Sequence, residues 1–215
     1  MFVTFEGLDL SGKTTQAQLL VERLSSFHAR DPHVYPPVLF LREPGGTPIS
    51  ERLRGILLDR GHDAMSDRTE LLLFAASRAQ LVAEVIRPAL ERNEIVLSDR
   101  FHDSTTAYQA YGRGLELEVV RAINRFATAG VIPDLTIFVD IPVEDIERRR
   151  LGAGTGRDRM ESSGVAFYER VRAGYHAMCA AEPQRFVCVN GTSSVQAVAQ
   201  EVWRAFLERA PLFRQ

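Results

Sequence analysis

Short apolar runs alternate along this chain with longer stretches in which apolar residues return every third or fourth position, and that alternation predicts an α/β fold built on a mostly parallel sheet. The runs over 2–5, 38–41, 95–98, 135–139 and 185–189 have strand length and little polar character, as strands covered on both faces do. Ala17, Leu20, Val21 and Leu24 fall at i, i+3, i+4 and i+7, which gives the first helix one buried stripe. A longer and more apolar helix is expected from Ser66 to Arg87, where Pro88 should strain it. Further helices are expected over 116–128, from 142 to about 150, over 162–181 and over 194–209, and no internal repeat is present. Two loops stand out. Residues 42–48 carry Pro44, Gly45, Gly46 and Pro48 and read as rigid, whereas residues 151–157 carry Gly152, Gly154 and Gly156 and read as mobile.

Composition narrows the class without changing this picture. A chain of 215 residues fits one domain, and 45% hydrophobic with 25% charged residues is the mixture of an ordinary globular protein. A net charge of −2 supplies no basic field to recruit nucleic acid or a membrane surface. No run approaches the roughly 18 uncharged apolar residues of a membrane span, and no leader pattern follows Met1, so a cytoplasmic location is expected. Cys179 and Cys188 have neither a zinc spacing nor a disulfide framework and read as buried thiols, and the five histidines form no i, i+4 pair that would suggest a transition metal. The basic residues are more telling: of 26, all are arginine except Lys13.

Lys13 lies in Gly7-Leu8-Asp9-Leu10-Ser11-Gly12-Lys13-Thr14, a complete G-x-x-x-x-G-K-[ST] phosphate-binding loop, with Thr15 following. The loop succeeds a strand and opens an amphipathic helix, the context in which main-chain N–H groups and the helix N-terminus gather phosphate oxygens. A compact ammonium can then reach the β/γ-phosphates, and the Thr14 hydroxyl can ligate Mg²⁺ beside ATP. Guanine-specific switches need Asn-Lys-x-Asp, which a chain whose sole lysine is Lys13 cannot contain. The third strand ends in Ser98-Asp99-Arg100, at the sheet edge where α/β ligands bind. There Asp99 can orient Mg²⁺ or its waters and Arg100 can hold a phosphate dianion, unless the two form a surface ion pair.

Several blocks occur in one order: Phe5-Glu6-Gly7 into the loop, Arg42-Glu43-Pro44-Gly45-Gly46-Thr47, Leu73-Phe74-Ala75-Ala76-Ser77-Arg78, Asp99-Arg100, Ser104 to Gln109, Pro133-Asp134-Leu135-Thr136 and Asp158-Arg159-Met160-Glu161. With these the sequence resembles the thymidylate kinases, nucleoside-monophosphate kinases of the P-loop superfamily, from residue 2 to about 189. The resemblance implies a three-layer P-loop kinase fold: a five-stranded parallel sheet flanked by helices, one domain over 1–215, with a mobile lid at about 148–161. It implies phosphorylation of dTMP to dTDP by Mg²⁺ and ATP, and a homodimer packed through helices that include the one starting at Ser66.

On this resemblance Phe74 stacks on thymine and Arg78, four residues on, donates to a thymine carbonyl, where the amino group of cytosine would be disfavoured. Taken alone, Phe74 sits in a continuous apolar run and reads as core, and Arg78 as solvated. Ser77, Ser104, Thr105, Tyr108 and Gln109 belong to the same acceptor site, with the Tyr108 ring excluding a ribose hydroxyl unless it merely packs. Asp9 approaches the sugar 3′-hydroxyl or nearby cations. Arg42, Glu43 and Pro44 close over the acceptor, although Arg42 and Glu43 can instead pair with each other, and Arg54 reaches its phosphate. Arg149 and the turn Asn190-Gly191-Thr192 serve the adenine side, unless the turn is only a strand exit. Arg148, Arg149, Arg150, Arg157 and Arg159 bracket the lid. Some thymidylate kinases carry an extra arginine inside the loop, where this chain has Leu10, and others carry it in the lid. Here the lid is expected to supply it, with Arg157 preferred to Arg149 or Arg150, so that Lys13, Asp9, Arg100 and Arg157 form the catalytic set. A kinase for another monophosphate or a deoxynucleoside, and a nucleotide-binding regulator without turnover, are the alternatives.

Overall fold

The computed structural model describes residues 1–153 and 164–214. Strands β1 (Phe2–Glu6), β2 (Val38–Arg42), β3 (Ile95–Asp99), β4 (Leu135–Asp140) and β5 (Phe186–Asn190) form one parallel sheet in the order β2-β3-β1-β4-β5. After β1 the chain builds β2 and β3 on one side and then crosses to β4 on the other, so the carboxyl ends of β1, β3 and β4 border the switch point where such sheets bind ligands. Alternation along β1 sets the layers. Val3 and Phe5 face α1 (Lys13–Arg30) and α9 (Val195–Arg209), packing with Ala17, Leu20, Val202 and Phe206. On the opposite face Phe2 packs with Leu81, Val82 and Phe101, while Phe138 of β4 packs with Val171 and Tyr175 of α8 (Val165–Ala181). Trp203 stacks on Phe27 and Phe206, a structural role.

The remaining helices position the site. Thr47 caps α2 (Pro48–Leu58) by accepting the Ser50 N–H at 3.1 Å, with Pro48 in the first turn, where its missing N–H costs nothing. Ser66 caps α3 (Asp67–Leu81) by accepting the Thr69 N–H at 3.3 Å. Pro88 distorts this helix, as expected, and the helix continues past Arg87. A wider π-helical turn over Val82–Ile86, in which the Arg87 N–H donates to the Val82 carbonyl, leads into α4 (Arg87–Glu91) and absorbs the N–H that proline lacks. After β3 come the short α5 (His102–Thr105) and a second π-helical stretch, Thr106–Gly112, then α6 (Leu117–Thr128). Helix α7 (Val143–Ala153) extends beyond the expected end near 150, so residues 151–153 of the supposed mobile loop are helical.

The cysteines need a correction. Both are free thiols, but only Cys179 is partly buried, because Cys188 sits on β5 at the edge of the sheet and points outward. Asp140, His176 and Cys188 bring ligand atoms within 4.8 Å of one another, a proximity the scattered spacing did not foretell. Both oxygens of Asp140 are already held by Arg172, at 2.7 and 2.9 Å. Among the described residues, no helix is long and apolar enough to cross a membrane.

Candidate active site

The phosphate-binding loop joins β1 to α1. Gly7 has φ 145°, and a Cβ there would stand 2.6 Å from the Val139 carbonyl, so only glycine fits the turn. Leu10 also adopts a left-handed φ, 62°. Leu8 turns its side chain into the core and contributes main chain only: its carbonyl accepts the Ser11 N–H at 3.3 Å and lies 3.4 Å from Lys13 Nζ. Lys13 is buried, and burial followed by the neighbouring Arg100 charge pushes its pKa down, against the pull of Asp99 and Asp9. The Thr14 hydroxyl donates to Asp99 Oδ2, while Asp99 Oδ1 is buried without a hydrogen-bond partner among the described residues. Hard oxygen ligands with one unmet acceptor beside a phosphate loop suit a hard divalent cation.

A cleft of about 270 Å³ opens beside Lys13 and Thr14. On its floor Arg100, at the carboxyl end of β3, adopts φ 73°, a left-handed conformation that a non-glycine residue keeps only when its surroundings enforce it. Its Nη2 donates to Asp9 Oδ1 at 2.6 Å and to Tyr108 Oη at 3.2 Å, and its Nη1 donates to the Gly7 carbonyl at 3.0 Å and Ser104 Oγ at 2.9 Å. Tyr108 in turn donates to Asp9 Oδ2 at 3.2 Å. Burial raises the Asp9 pKa, but the charges of Arg100 and Lys13 outweigh it and leave the carboxyl below its usual range.

The cleft wall corrects the isolated reading of Arg78. It is 2% exposed, not solvated. Its Nε donates to Glu43 Oε2 at 2.8 Å, Nη1 to Asn124 Oδ1 at 3.1 Å, and Nη2 to the Phe101 carbonyl at 3.2 Å and Thr105 Oγ1 at 3.0 Å. Nη1 carries two hydrogens and has one partner among the described residues, which leaves an N–H for a ligand. Glu43 therefore does not pair with Arg42, which reaches Glu51 at 3.4 Å on the exposed rim. Burial raises the Glu43 pKa, opposed by Arg78. Phe74 is half-buried, packing against the core cluster that holds Tyr108 and Phe167 while also lining the cleft, and Gln109 lines it while donating to Glu70 at 2.9 Å. The Glu43–Pro44 peptide is cis, and Arg54 clasps the Pro44 carbonyl at 2.9 Å, so the loop over 42–48 is tied down. Ser77 departs from expectation. It is buried beside Arg78: its main-chain carbonyl accepts the Ser50 hydroxyl at 2.8 Å, its own hydroxyl is buried without a partner among the described residues, and it is not among the cleft-lining residues.

Behind the loop a second cavity of about 150 Å³ is bordered by Gly12, Thr15, Gln16, Arg149 and Gly191. Arg149 spans it, donating to the Leu10 carbonyl at 2.9 Å and the Gly191 carbonyl at 2.7 Å. Asn190 spends its side-chain oxygen on its own turn, accepting the Thr192 N–H at 3.0 Å and hydroxyl at 2.7 Å, and does not border the cavity. Arg148 points outward and pairs with Asp145. Arg157 and Arg159 lie outside the described residues, as does the rest of the expected lid beyond Ala153.

The family model described as thymidylate kinase matches residues 5–202. The chain belongs to the thymidylate kinase family. It is 47% identical to the thymidylate kinase of Desulforudis audaxviator, over 99% of this chain and 94% of that one. It is 45% identical to that of Kosmotoga olearia, over 96% and 95%. The crystal structure of thymidylate kinase from Ehrlichia chaffeensis superposes with a TM-score of 0.76 at 34% identity, covering 96% of this chain and 97% of that one. The activity that accompanies the family is phosphoryl transfer from ATP to dTMP, giving dTDP. ATP as donor normally brings a divalent metal with it.

Three residues that hydrogen-bond the polar groups in and beneath the cleft escaped the sequence reading. Asn124, which holds Arg78, sits with Val120 and Ala127 at i, i+4 and i+7 on the buried side of α6, and a lone amide on an apolar stripe was the available signal. Tyr168 and Tyr175 of α8 send their hydroxyls to Asp9 at 3.4 Å and Glu6 at 2.8 Å, and nothing local marks them apart from packing tyrosines.

Proposed function

We propose that the cleft seats dTMP with its base between Phe74 and Arg78, its sugar against Asp9 and Tyr108, and its phosphate toward Arg100, and that Thr14 and Asp99 hold Mg²⁺. The observation that supports this best is that one cleft is lined both by Lys13 and Thr14 of the phosphate loop and by Phe74, Arg78 and Arg100. The acceptor phosphate oxygen is already an anion. It forms the new bond to the γ-phosphorus while the bond to the bridging oxygen of ADP breaks, and no general base is needed. Lys13 and Arg100 neutralise charge on the phosphates, and a bound Mg²⁺ would supply further charge compensation on the donor oxygens. Arg149 tethers the adenine side, and Arg157 is the arginine assigned to the moving phosphoryl group. Arg42, Glu43 and Pro44 cover the acceptor, and Arg54, which lines the same cleft, reaches toward its phosphate.

Incubating the protein with Mg·ATP and a panel of monophosphates, and following ADP and diphosphate formation, tests the reading. dTMP should exceed dCMP by about a hundredfold or more in kcat/KM, thymidine should not be phosphorylated, and chelation of the metal should abolish turnover. Production of ADP without dTDP would overturn it. Arg157→Ala should lower kcat far more than it raises KM. Equal loss in both would move the role to Arg149 or Arg150. We also place the enzyme in the cytoplasm, consistent with two unpaired thiols. A homodimer through α3 and α6 is supported by Phe126, 88% exposed, with Leu72 and Val119 exposed on the same pair of neighbouring helices. Sedimentation of Phe126→Arg against the unaltered protein tests this, and an unchanged mass would count against that surface.

A further inference from the structure

Beneath the cleft lies a carboxyl group that the reaction as described does not use. Glu6 ends β1 on the α8 side of the sheet and has no exposed surface. Its Oε1 accepts the main-chain N–H of Phe101 at 2.7 Å. Its Oε2 accepts two hydroxyls, that of Ser104 at 2.5 Å and that of Tyr175 at 2.8 Å. Both hydroxyl oxygens also meet Arg100, whose Nη1 donates to Ser104 Oγ at 2.9 Å and, at 3.5 Å, to Tyr175 Oη. A hydroxyl has a single proton. With that proton directed to Glu6, only lone pairs are left to face the guanidinium. The third bond acts on the main chain, because Phe101 follows Arg100, and its anchored N–H helps hold Arg100 in the left-handed region.

We propose that Glu6 is the positioning residue of the acceptor site, fixing both the backbone turn and the hydroxyl orientations that aim Arg100 at the acceptor phosphate. This rests on the assignment of Arg100 to that phosphate. Glu6 touches no substrate and acts through Arg100 alone. An amide of the same size can accept on one side only; its NH₂ then confronts either the Phe101 N–H or the two hydroxyls, which must turn their protons toward Arg100.

The charged and titratable groups around Glu6 add a second readout. Asp103 from α5, Arg100 from the turn after β3, Tyr175 from α8 and Lys13 from α1 face it, and Asp103 is itself neutralised by His102 and Arg185. Burial, then Asp103, raises the Glu6 carboxyl to about 7 against Arg100 and its hydrogen bonds. As pH falls through that value, a proton enters a site already filled by three donors, and Arg100 loses an acceptor. Affinity for dTMP should weaken.

Steady-state kinetics of the full chain, Glu6→Gln, Arg100→Lys and the double variant, with dTMP and ATP varied separately across pH 6–9 and folding checked by thermal melting, test the proposal. Glu6→Gln should raise the KM for dTMP about tenfold while the KM for ATP stays within about twofold. The double variant should be no worse than Arg100→Lys alone. The unaltered protein should show an ionisation near 7 in the KM for dTMP that Glu6→Gln lacks, the ionisation of the substrate phosphate being common to both. Tyr175→Phe, which removes one relay and leaves the carboxyl in place, should raise the KM for dTMP severalfold and serves if Glu6→Gln does not fold. Equal rises in both KM values, additivity in the double variant, or an unchanged KM for dTMP in Glu6→Gln or Tyr175→Phe overturns the role of Glu6. An unchanged KM for dTMP in Arg100→Lys would instead remove the assignment of Arg100 to the acceptor phosphate.

Discussion

The two sides of the phosphate loop are built from different materials. On the acceptor side, buried charged and polar side chains hold one another: Arg78 with Glu43 and Asn124, Arg100 with Asp9 and Tyr108, Glu6 with Ser104 and Tyr175. On the donor side, among the described residues, the cavity is bordered by the turns at Gly12 and Gly191 and by uncharged side chains such as Thr15, Gln16 and Val198, and Arg149 bridges the Leu10 and Gly191 carbonyl groups. The difference follows from what each must recognise. A triphosphate tail is the same for every donor, so a cradle of main-chain amides with one ammonium suffices. The acceptor must be told apart from other pyrimidine monophosphates, and that requires side chains whose donors and acceptors are fixed in advance.

Among the described residues Lys13 stands between the two sides, and its removal should have the largest effect. Lys13→Ala should lower kcat by about a thousandfold or more with little change in melting temperature. A loss confined to the KM for ATP would mean that the ammonium only binds the donor, and the boundary between the two sides would have to be redrawn.

Next comes the acceptor wall. Arg78→Ala leaves Glu43 buried without its cation and should destabilise the fold by about 3–5 kcal/mol, while discrimination of dTMP from dCMP collapses. Chemical denaturation and paired kinetics measure the two effects. A variant as stable and as selective as the parent would show that the buried pair is not what distinguishes the sides. The pair also marks the limit of what the sequence disclosed. The phosphate loop, the five strands and most helices were legible because their signals are local: a motif of eight residues, apolar runs, a 3.6-residue period. Arg78 by itself read as solvated because Glu43 lies 35 residues away and Asn124 46 away, and charge pairing at that separation leaves no periodic trace. Glu6 was visible only as part of a matching block, since Phe101, Ser104 and Tyr175 come from 95, 98 and 169 residues further along. The helical extension over 151–153 was missed because Gly152 was weighed as a loop former, although glycine costs a helix only about 1 kcal/mol.

Within the acceptor side two buried acids move in opposite directions, which allows a smaller test by pH. Glu6 holds its proton more tightly in the folded chain, so its contribution to stability is complete below about 4.5 and is lost as pH rises through about 7. Burial opposes ionisation of Asp103, but His102 and Arg185 outweigh it and hold its pKa well below 3.8, so its contribution is present above that value and disappears only in acid. Between pH 5 and 8 the unaltered protein should therefore lose stability relative to Glu6→Gln, by about 3 kcal/mol at most. Parallel curves over that interval would place the Glu6 ionisation outside it.

The smallest effect is expected on the donor side. Arg149 bonds two carbonyl groups at a turn bordering an open cavity, and water can replace a guanidinium there far more readily than it can at Arg78. Arg149→Ala should raise the KM for ATP by about three- to tenfold, with the KM for dTMP and the melting temperature nearly unchanged. The contrast with Arg78→Ala is the informative quantity, because both substitutions delete an arginine that binds main-chain oxygen and only one of them strands a buried carboxylate. If Arg149→Ala proved as destabilising as Arg78→Ala, the donor side would be a charge network as tightly built as the acceptor side, and the division of labour between main chain and side chain would fail.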